Sequence, residues 1–435
     1  MKGHQVWARR VPAQVASQTS SEGGGNPRRR LSARRLWVGL LAGALSLLGG
    51  PDAGRAGDLK DTIKNLWPDG IHLQPTPPPF PSHEPHFTTS SLQGLDSLST
   101  SIASSLGFLS LNSSVSSFTF DIERGVPVRT TDSLGPLLAE RAPTLGEKKL
   151  NLAFTYTRID FSRFQGTPLD KLTLDFKHQD VNNNGITDTT GPFSFESDVV
   201  QATINLSITE DVYTVFATYG ITRHWDVGLV IPIIHINVRA VADATVIRNS
   251  PISSFVHNFG PDSSPSHVTA GGETTGIGDI LVRTKYNFLS NEGAWPDLAA
   301  LLQVKLPSGN PDDLLGTGHT NFLPMLVASK TYAFITPHLN VGYEMTTGPR
   351  SDDNLRYIAG FDVRLHPRLT FATDVLGRWE PNGTGTGDNI VDLALGLKWN
   401  PFGSFLVGGN VQVPVNKNEG LRANVIWTVG LEYTF

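Results

Sequence analysis

From about Lys148 to the C-terminus, apolar and polar residues alternate almost one by one. The stretch from Arg422 to Phe435 shows the pattern in full. Ala423, Val425, Trp427, Val429, Leu431, Tyr433 and Phe435 share one parity, and Arg422, Asn424, Thr428, Gly430, Glu432 and Thr434 share the other. Successive side chains of a strand point to opposite faces, so this segment predicts a two-sided strand as long as a tilted strand crossing a bilayer. The same alternation runs through Val200–Ile208, Leu298–Leu306, Leu355–Leu365 and Phe405–Val415. The connections, traced back from the C-terminus, alternate longer and shorter: 416–421, 400–403, 380–388, 366–368, 347–353, 331–332, 308–319 and 290–295. Further back, 240–275 reads as a long loop, 221–224 as a turn and 179–198 as another loop. Membrane barrels have short turns at one end and longer loops at the other.

The pattern therefore predicts an all-β fold, a transmembrane antiparallel up-and-down β-barrel of about twelve strands. Fourteen would follow if Thr209, Glu210 and Asp211 formed a turn. Trp379, Trp399, Trp427, Tyr343, Tyr357, Tyr433 and Phe435 lie on the apolar parity near strand ends, as interface girdles do. The barrel spans 147–435. A strand that ends on an aromatic at the C-terminus is similar to the last strand of bacterial outer-membrane barrels, which assembly machinery reads. Tyr433 and Phe435 are the expected signal.

The chain ahead of the barrel divides in two. Arg28, Arg29, Arg30, Arg34 and Arg35 precede an apolar run, Leu36–Leu48, and small residues lead to Ala56. This is the order of an export signal, expected to cover 1–56. Residues 57–146 form an irregular Pro/Ser-rich segment with little periodicity. Phe118–Ile122 and Val126–Val128 suit a hairpin. The apolar run Leu134–Ala142 suits a plug inside or across the barrel mouth; the alternative is a periplasmic tail.

Charge and composition narrow the function. Removing residues 1–56 takes nine basic and two acidic side chains from totals of 35 and 40, leaving a net charge of −12. That balance argues against nucleic acid as a partner. The absence of cysteine excludes a disulfide scaffold and a thiol nucleophile. No G-x-S-x-G elbow, H-E-x-x-H pair or phosphate loop occurs, so an enzyme is not expected. Strand parity assigns to the lumen Asp279, Arg283, Lys285, Lys305, Glu344, Arg356, Asp362, Arg364, Asp374, Arg378, Asp392, Lys398, Arg422 and Glu432. Eight are basic and six acidic, and so even a balance argues against a strongly ion-selective pore. Two readings stand: pairs that brace the wall, or a polar ladder that guides a solute. Asp180, Asn182, Asn184 and Asp188 around Gly185 match the spacing of a calcium loop, although position twelve is Gly191; the alternative is an Asn/Gly-rich turn.

Several stretches resemble the outer-membrane proteins named for the phenol meta-cleavage pathway, the MetA-pathway family. They are Tyr219–Pro232 (YGITRHWDVGLVIP), Gly276–Asp279 (GIGD) leading to Lys285 and Tyr286, and Val304–Gly309 (VKLPSG) with Gly316–Gly318 (GTG). The resemblance covers about 148–435. It implies an outer-membrane channel, proposed in some members to admit aromatic or other apolar compounds. The expected function is passive uptake of small hydrophobic or aromatic molecules across a Gram-negative outer membrane. The alternatives are a structural or surface-interaction barrel and, behind it, an outer-membrane hydrolase. Expected partners are outer-membrane lipid and lipopolysaccharide, the barrel-assembly machinery at the C-terminal strand, and a small-molecule cargo. No cofactor is expected beyond the calcium reading.

Overall fold

The computed structural model describes Leu59, Thr62, Leu73, Phe87, the backbone of 118–121 and 126–129, and residues 133–250, 256–259, 266–290, 293–348, 353–381 and 388–435. The export signal read at 1–56 lies outside the described residues. The strands are β1 (Phe118–Asp121), β2 (Val126–Arg129), β3 (Leu150–Phe164), β4 (Thr167–Pro168), β5 (Leu172–Lys177), β6 (Val199–Gly220), β7 (Trp225–Ile247), β8 (Ser266–Ile277) and β9 (Leu281–Leu289). They continue with β10 (Asp297–Lys305), β11 (Asn321–Ser329), β12 (Ile335–Thr346), β13 (Asn354–His366), β14 (Leu369–Glu380), β15 (Asp388–Phe402), β16 (Phe405–Pro414) and β17 (Leu421–Thr434).

Twelve of these close a ring: β3, β6, β7, and β9 through β17, which returns to β3. All pairings are antiparallel, and the seam sets Asn151 against Thr434. β6 runs unbroken through Thr209, Glu210 and Asp211, which face Asn237, Ile236 and His235 of β7. The count is therefore twelve and not fourteen. β4, β5 and β8 pair outside the ring, and β1 and β2 form a separate antiparallel pair.

Around the ring the two parities have the polarity expected in lipid. The outward face carries Tyr286, Phe288, Leu326, Leu395, Val429 and Trp427, all well exposed. The inward face buries Asn151, Asp279, Lys285, Asn340, Asp362 and Asp374. Backbone groups are satisfied strand to strand, so a closed ring can stand in a bilayer where an open sheet cannot. Trp225, Tyr286, Trp295, Tyr332, Phe334, Trp399, Phe402 and Phe435 gather on the exposed face at the end that holds the short turns and Phe435. That is an aromatic girdle.

Two stretches depart from the sequence reading. In β6, Val200, Ala202, Ile204, Leu206 and Ile208 are buried, and they share the parity of Thr214 and Thr218, which also face inward. Their apolar stripe does not meet lipid. β6 and β7 run on past the ring, and with β5 and β8 they form a four-stranded extension beyond the rim. Outside the bilayer the apolar side must turn away from water, so the polarity of the two faces reverses with no change of parity. Half of the expected loop 240–275 is accordingly strand: β7 continues to Ile247 and β8 begins at Ser266. Leu59, Leu73, Phe87, Leu314 and Leu315 cover the inner side of this extension. Phe87 sits edge-on to His178 and His257.

The second departure is in β17. Ala423 pairs with Phe161 and Ile426 with Ile159, so Asn424 and Val425 together stand against Asp160 alone. A bulge re-aims side chains locally. Ala423 turns inward and is buried, whereas Asn424 is exposed, the reverse of simple alternation.

Candidate functional site

Residues 133–145 cross the lumen near the end that carries the short turns. The Leu134 amide donates to Thr370 Oγ1 (2.8 Å) and the Leu138 amide to Asp374 Oδ2 (3.3 Å), both on β14. The Glu140 amide donates to Asn340 Oδ1 (2.7 Å) on β12, which returns a bond from Nδ2 to the Glu140 carbonyl (2.9 Å). The Ala142 amide donates to Ser329 Oγ on β11 (3.0 Å), and the Leu145 amide to Asp226 Oδ2 on β7 (3.1 Å). β14 and β7 stand opposite one another in the ring, so the segment spans its width.

Two charged side chains of the segment fix its middle. The Glu140 carboxylate accepts from Arg283, and from Lys285 Nζ at 3.1 Å, both on β9. Arg141 pairs with Asp362 on β13 and is the largest fully buried side chain among the described residues. Burial by itself would raise the Glu140 pKa, but Arg283 and Lys285 outweigh it and hold the carboxyl at about 2. Leu137 and Leu138 pack on Ala372, Leu376 and Ala394, and Ala142 packs on Ala299, Leu301 and Val327. Small wall residues leave notches for larger residues of the segment.

The fourteen residues assigned to the lumen are all buried or half-buried on the inward side. Arg283, Lys285, Asp362 and Asp374 meet the crossing segment, and Asp374 also holds His338 Nε2 at 2.6 Å. The others pair within the wall. Arg356 meets Glu344 (2.6 Å), Arg422 meets Asp392 (2.6 Å), and Lys398 meets Glu432 (3.8 Å). Arg378 forms an ion pair with Glu380 of its own strand at 2.9 Å. Arg364, on β13 near the short-turn end, is half-buried.

Asp279 gathers the Gly-x-Gly-Asp, Lys-Leu-Pro-Ser-Gly and Gly-Thr-Gly stretches into one buried knot. It accepts from the amides of Gly309 and Thr317 (both 3.0 Å) and pairs with Lys305 (3.4 Å). Ser308 Oγ donates to the Gly278 carbonyl and accepts from the Ile280 amide, each at 2.8 Å. A Cβ on Gly316 would collide with the Asp279 carboxylate. The knot folds the 306–320 loop inward and sets Leu314 and Leu315 against the extension.

At the other predicted sites, Asp180 accepts from the amides of Asn184 (3.2 Å) and Gly185, and Asn184 Nδ2 donates to Asp188 (3.1 Å). Asn182 also bonds Asp188. Gly185 adopts φ +84, which few other residues tolerate. Buried Glu196 accepts the Val181 and Asp188 amides and closes the loop. Among the described residues no group of three or more His, Asp or Glu is placed to hold a metal ion. Tyr433 and Phe435 pack edge to face at 4.6 Å, and the Phe435 amide bonds the Leu150 carbonyl (2.8 Å) at the seam.

Between the crossing segment and the rim opposite the short turns lies a chamber of about 180 Å³. Leu138 and Glu140 contribute to its lining, as do Ile159, Phe161, Met325, Ile358 and Ile426. Its polar lining includes Gln303, Arg356, Arg378, Asp392, Gln412 and Arg422.

Sequence reasoning missed Glu140, Arg141, Asp226, His338 and Asn340. The available signal was the Glu-Arg pair inside the apolar run Leu134–Ala142: adjacent opposite charges in such a run need partners if it is buried.

Residues 184–369 match the family model described as "Putative MetA-pathway of phenol degradation". The match spans less than half of the chain and is a similarity to that family. The matched segment contains the Asp279 knot, Arg283, Lys285, Asn340 and Asp362, and it leaves the lumen-crossing segment outside. No curated protein matches the chain. Among solved structures, an outer membrane channel from Pseudomonas putida F1 is similar at 11% identity, covering 68% of this chain and 98% of that one, with a TM-score of 0.42. The Ralstonia pickettii toluene transporter TbuX is similar at 9% identity, covering 67% and 90%, with a TM-score of 0.33. A Pseudomonas aeruginosa FadL homologue is similar at 9% identity, covering 66% and 90%, with a TM-score of 0.32.

Proposed function

We propose that this protein is a passive channel of the Gram-negative outer membrane for small hydrophobic or aromatic compounds, held shut by residues 133–145 acting as a plug. The observation that carries the reading is a closed ring whose lumen is crossed by a segment held through side-chain contacts. Hydrogen bonds of this kind are worth about 0.5–1.5 kcal/mol net each between neutral groups, and about 1.5–3 kcal/mol where one partner is charged, because water replaces them when they break. The ring itself is a continuous backbone ladder and stays closed when the segment moves. The short turns and Phe435 face the periplasm in this reading. The extension of β5–β8 stands outside the cell among lipopolysaccharide, and Tyr433 and Phe435 present the assembly signal. A chamber beside the plug favours a conduit over a purely structural barrel, and nothing in the plug contacts calls for bond-making chemistry.

The test is planar-bilayer conductance and liposome swelling of the refolded full chain beside Glu140→Ala/Arg141→Ala. The double change leaves Arg283 and Asp362 without their side-chain partners in the plug, and Lys285 with only the Arg141 carbonyl there. The expected result is a closed or small pore in the parent and a larger one in the variant. If both form heat-modifiable barrels and neither conducts, the reading fails.

A further inference from the structure

The described residues ahead of the barrel stand at both ends of it. Leu59, Leu73 and Phe87 are buried on the inner side of the β5–β8 extension, beyond the rim that carries the long loops. Ser133 and Leu134 are buried at the other end, where the Leu134 amide meets Thr370, just past the 366–368 turn. From there the chain crosses the lumen and enters β3 at Leu150, which sits beside Tyr219 and Phe435 at the same short-turn end.

The chain between Phe87 and Ser133 therefore passes from one end of the ring to the other. Positions 88–132 supply 45 residues. An extended chain gains about 3.3 Å per residue, against a hydrocarbon core about 30 Å thick, so the length is ample. Two routes join the ends. A route around the outside of the barrel crosses lipid, where backbone groups need internal partners and charges are costly. The connecting stretch holds Asp96, Asp121, Glu123, Arg124, Arg129 and Asp132, and 12 of the 28 residues from Ser90 to Ser117 are serine. The other route is the lumen, whose polar wall already holds residues 133–145 through Thr370, Asp374, Asn340 and Ser329.

The extension accounts for the docking of the far end. Val200, Ala202, Ile204, Ala240, Ala242 and Ala244 form an apolar side that stands clear of the bilayer. Left bare it would face water, and Leu59, Leu73 and Phe87 close it. The cover of that face is this chain's own N-terminal segment.

We propose that the segment ahead of the barrel runs through the lumen, so that the residues around Leu59, Leu73 and Phe87 are displayed on the outer surface of the cell, docked on the β5–β8 extension. The direction of display rests on the channel reading, which sets the short turns in the periplasm. A barrel so arranged carries its own N-terminal residues across the membrane that it spans.

The chain has no cysteine, so single substitutions report position without interference. Thr62→Cys marks the N-terminal residues, Thr269→Cys the exposed side of β8, and Glu147→Cys the short-turn end. Each full-length variant is treated on whole cells with a membrane-impermeant maleimide, before and after the outer membrane is permeabilised. Thr62→Cys and Thr269→Cys are expected to label on intact cells to the extent reached after permeabilisation, and Glu147→Cys only after it. A peptide epitope inserted between Asp58 and Leu59, read by antibody on intact cells, gives the same answer where Thr62→Cys does not accumulate. Thr269→Cys labelled on intact cells, with Thr62→Cys and the epitope reached only after permeabilisation, overturns the passage and leaves the orientation standing. Glu147→Cys labelled on intact cells with Thr269→Cys protected overturns the orientation and the display together. Planar-bilayer conductance separates the passage from the channel. The expected labelling on a chain that never conducts keeps the passage and removes the channel, and conduction with Thr62→Cys protected on intact cells does the reverse.

Discussion

Glu140 concentrates the electrostatics of the lumen-crossing segment in one carboxylate. Its ordinary pKa of 4.5 falls to about 2 in the docked state. A depressed carboxylate stabilises the docked state fully above its ordinary pKa and loses that contribution as pH falls through the folded value. Acidification from about pH 4.5 to 2 should therefore undock the segment and raise conductance. Glu140→Gln should remove that pH step, and an identical step in parent and variant would count against the assignment. Asp279 is a second single-residue test. Asp279→Ala removes the acceptor of two backbone amides and leaves buried Lys305 unpaired, which should lower barrel stability by about 3–5 kcal/mol, read from the urea midpoint of heat-modifiability. Asp279 could be read from its place in Gly-x-Gly-Asp. Its partners Gly309 and Thr317 could not, because alternation reports the face a residue points to and not which loop folds onto it.

At the scale of the element, β6 and β7 show what alternation leaves open. A strand with one apolar side is plain in the sequence, but the medium decides which side turns inward. In lipid the apolar side faces out, and in water it faces in. The same parity of β6 therefore carries Thr214 and Thr218 on the inner side of the ring and Leu206 and Ile208 on the inner side of the extension. Leu206→Ala should cost about 2–5 kcal/mol as a core truncation, whereas Asn205→Ala, on the exposed side, should stay within about 0.5 kcal/mol. Loss of extension signal in limited proteolysis would rank the two, and equal sensitivity would mean that the extension has no core on that side. The bulge in β17 was illegible for a related reason. Arg422 to Asn424 alternates cleanly in sequence, and only the pairing with Phe161 and Ile159 turns Ala423 inward.

For the molecule as a whole, the strand count, the antiparallel ring and the alternation of turns and loops were legible because twelve strands each repeat one constraint. The lumen-crossing segment was legible only as the apolar run Leu134–Ala142. Its docking depends on residues as far away as Thr370 and Asp374, each separated by 236 positions from its partner in the segment. No local pattern encodes a contact across that distance.

That long reach has a consequence for the order in which the ring is made. The seam joins Asn151 to Thr434, so it is the pairing with the greatest loop to close and the slowest to find. Until it closes, the twelve strands form a trough, and the plug lies across it from β7 to β14. Glu140 grips β9 while Arg141 grips β13, which draws the two sides of the trough together before the seam has formed. The segment is then a mandrel around which the barrel is wound. Weakening it should lengthen the folding half-time of the ring in lipid vesicles, and variants made to open the pore should also be the slowest to assemble.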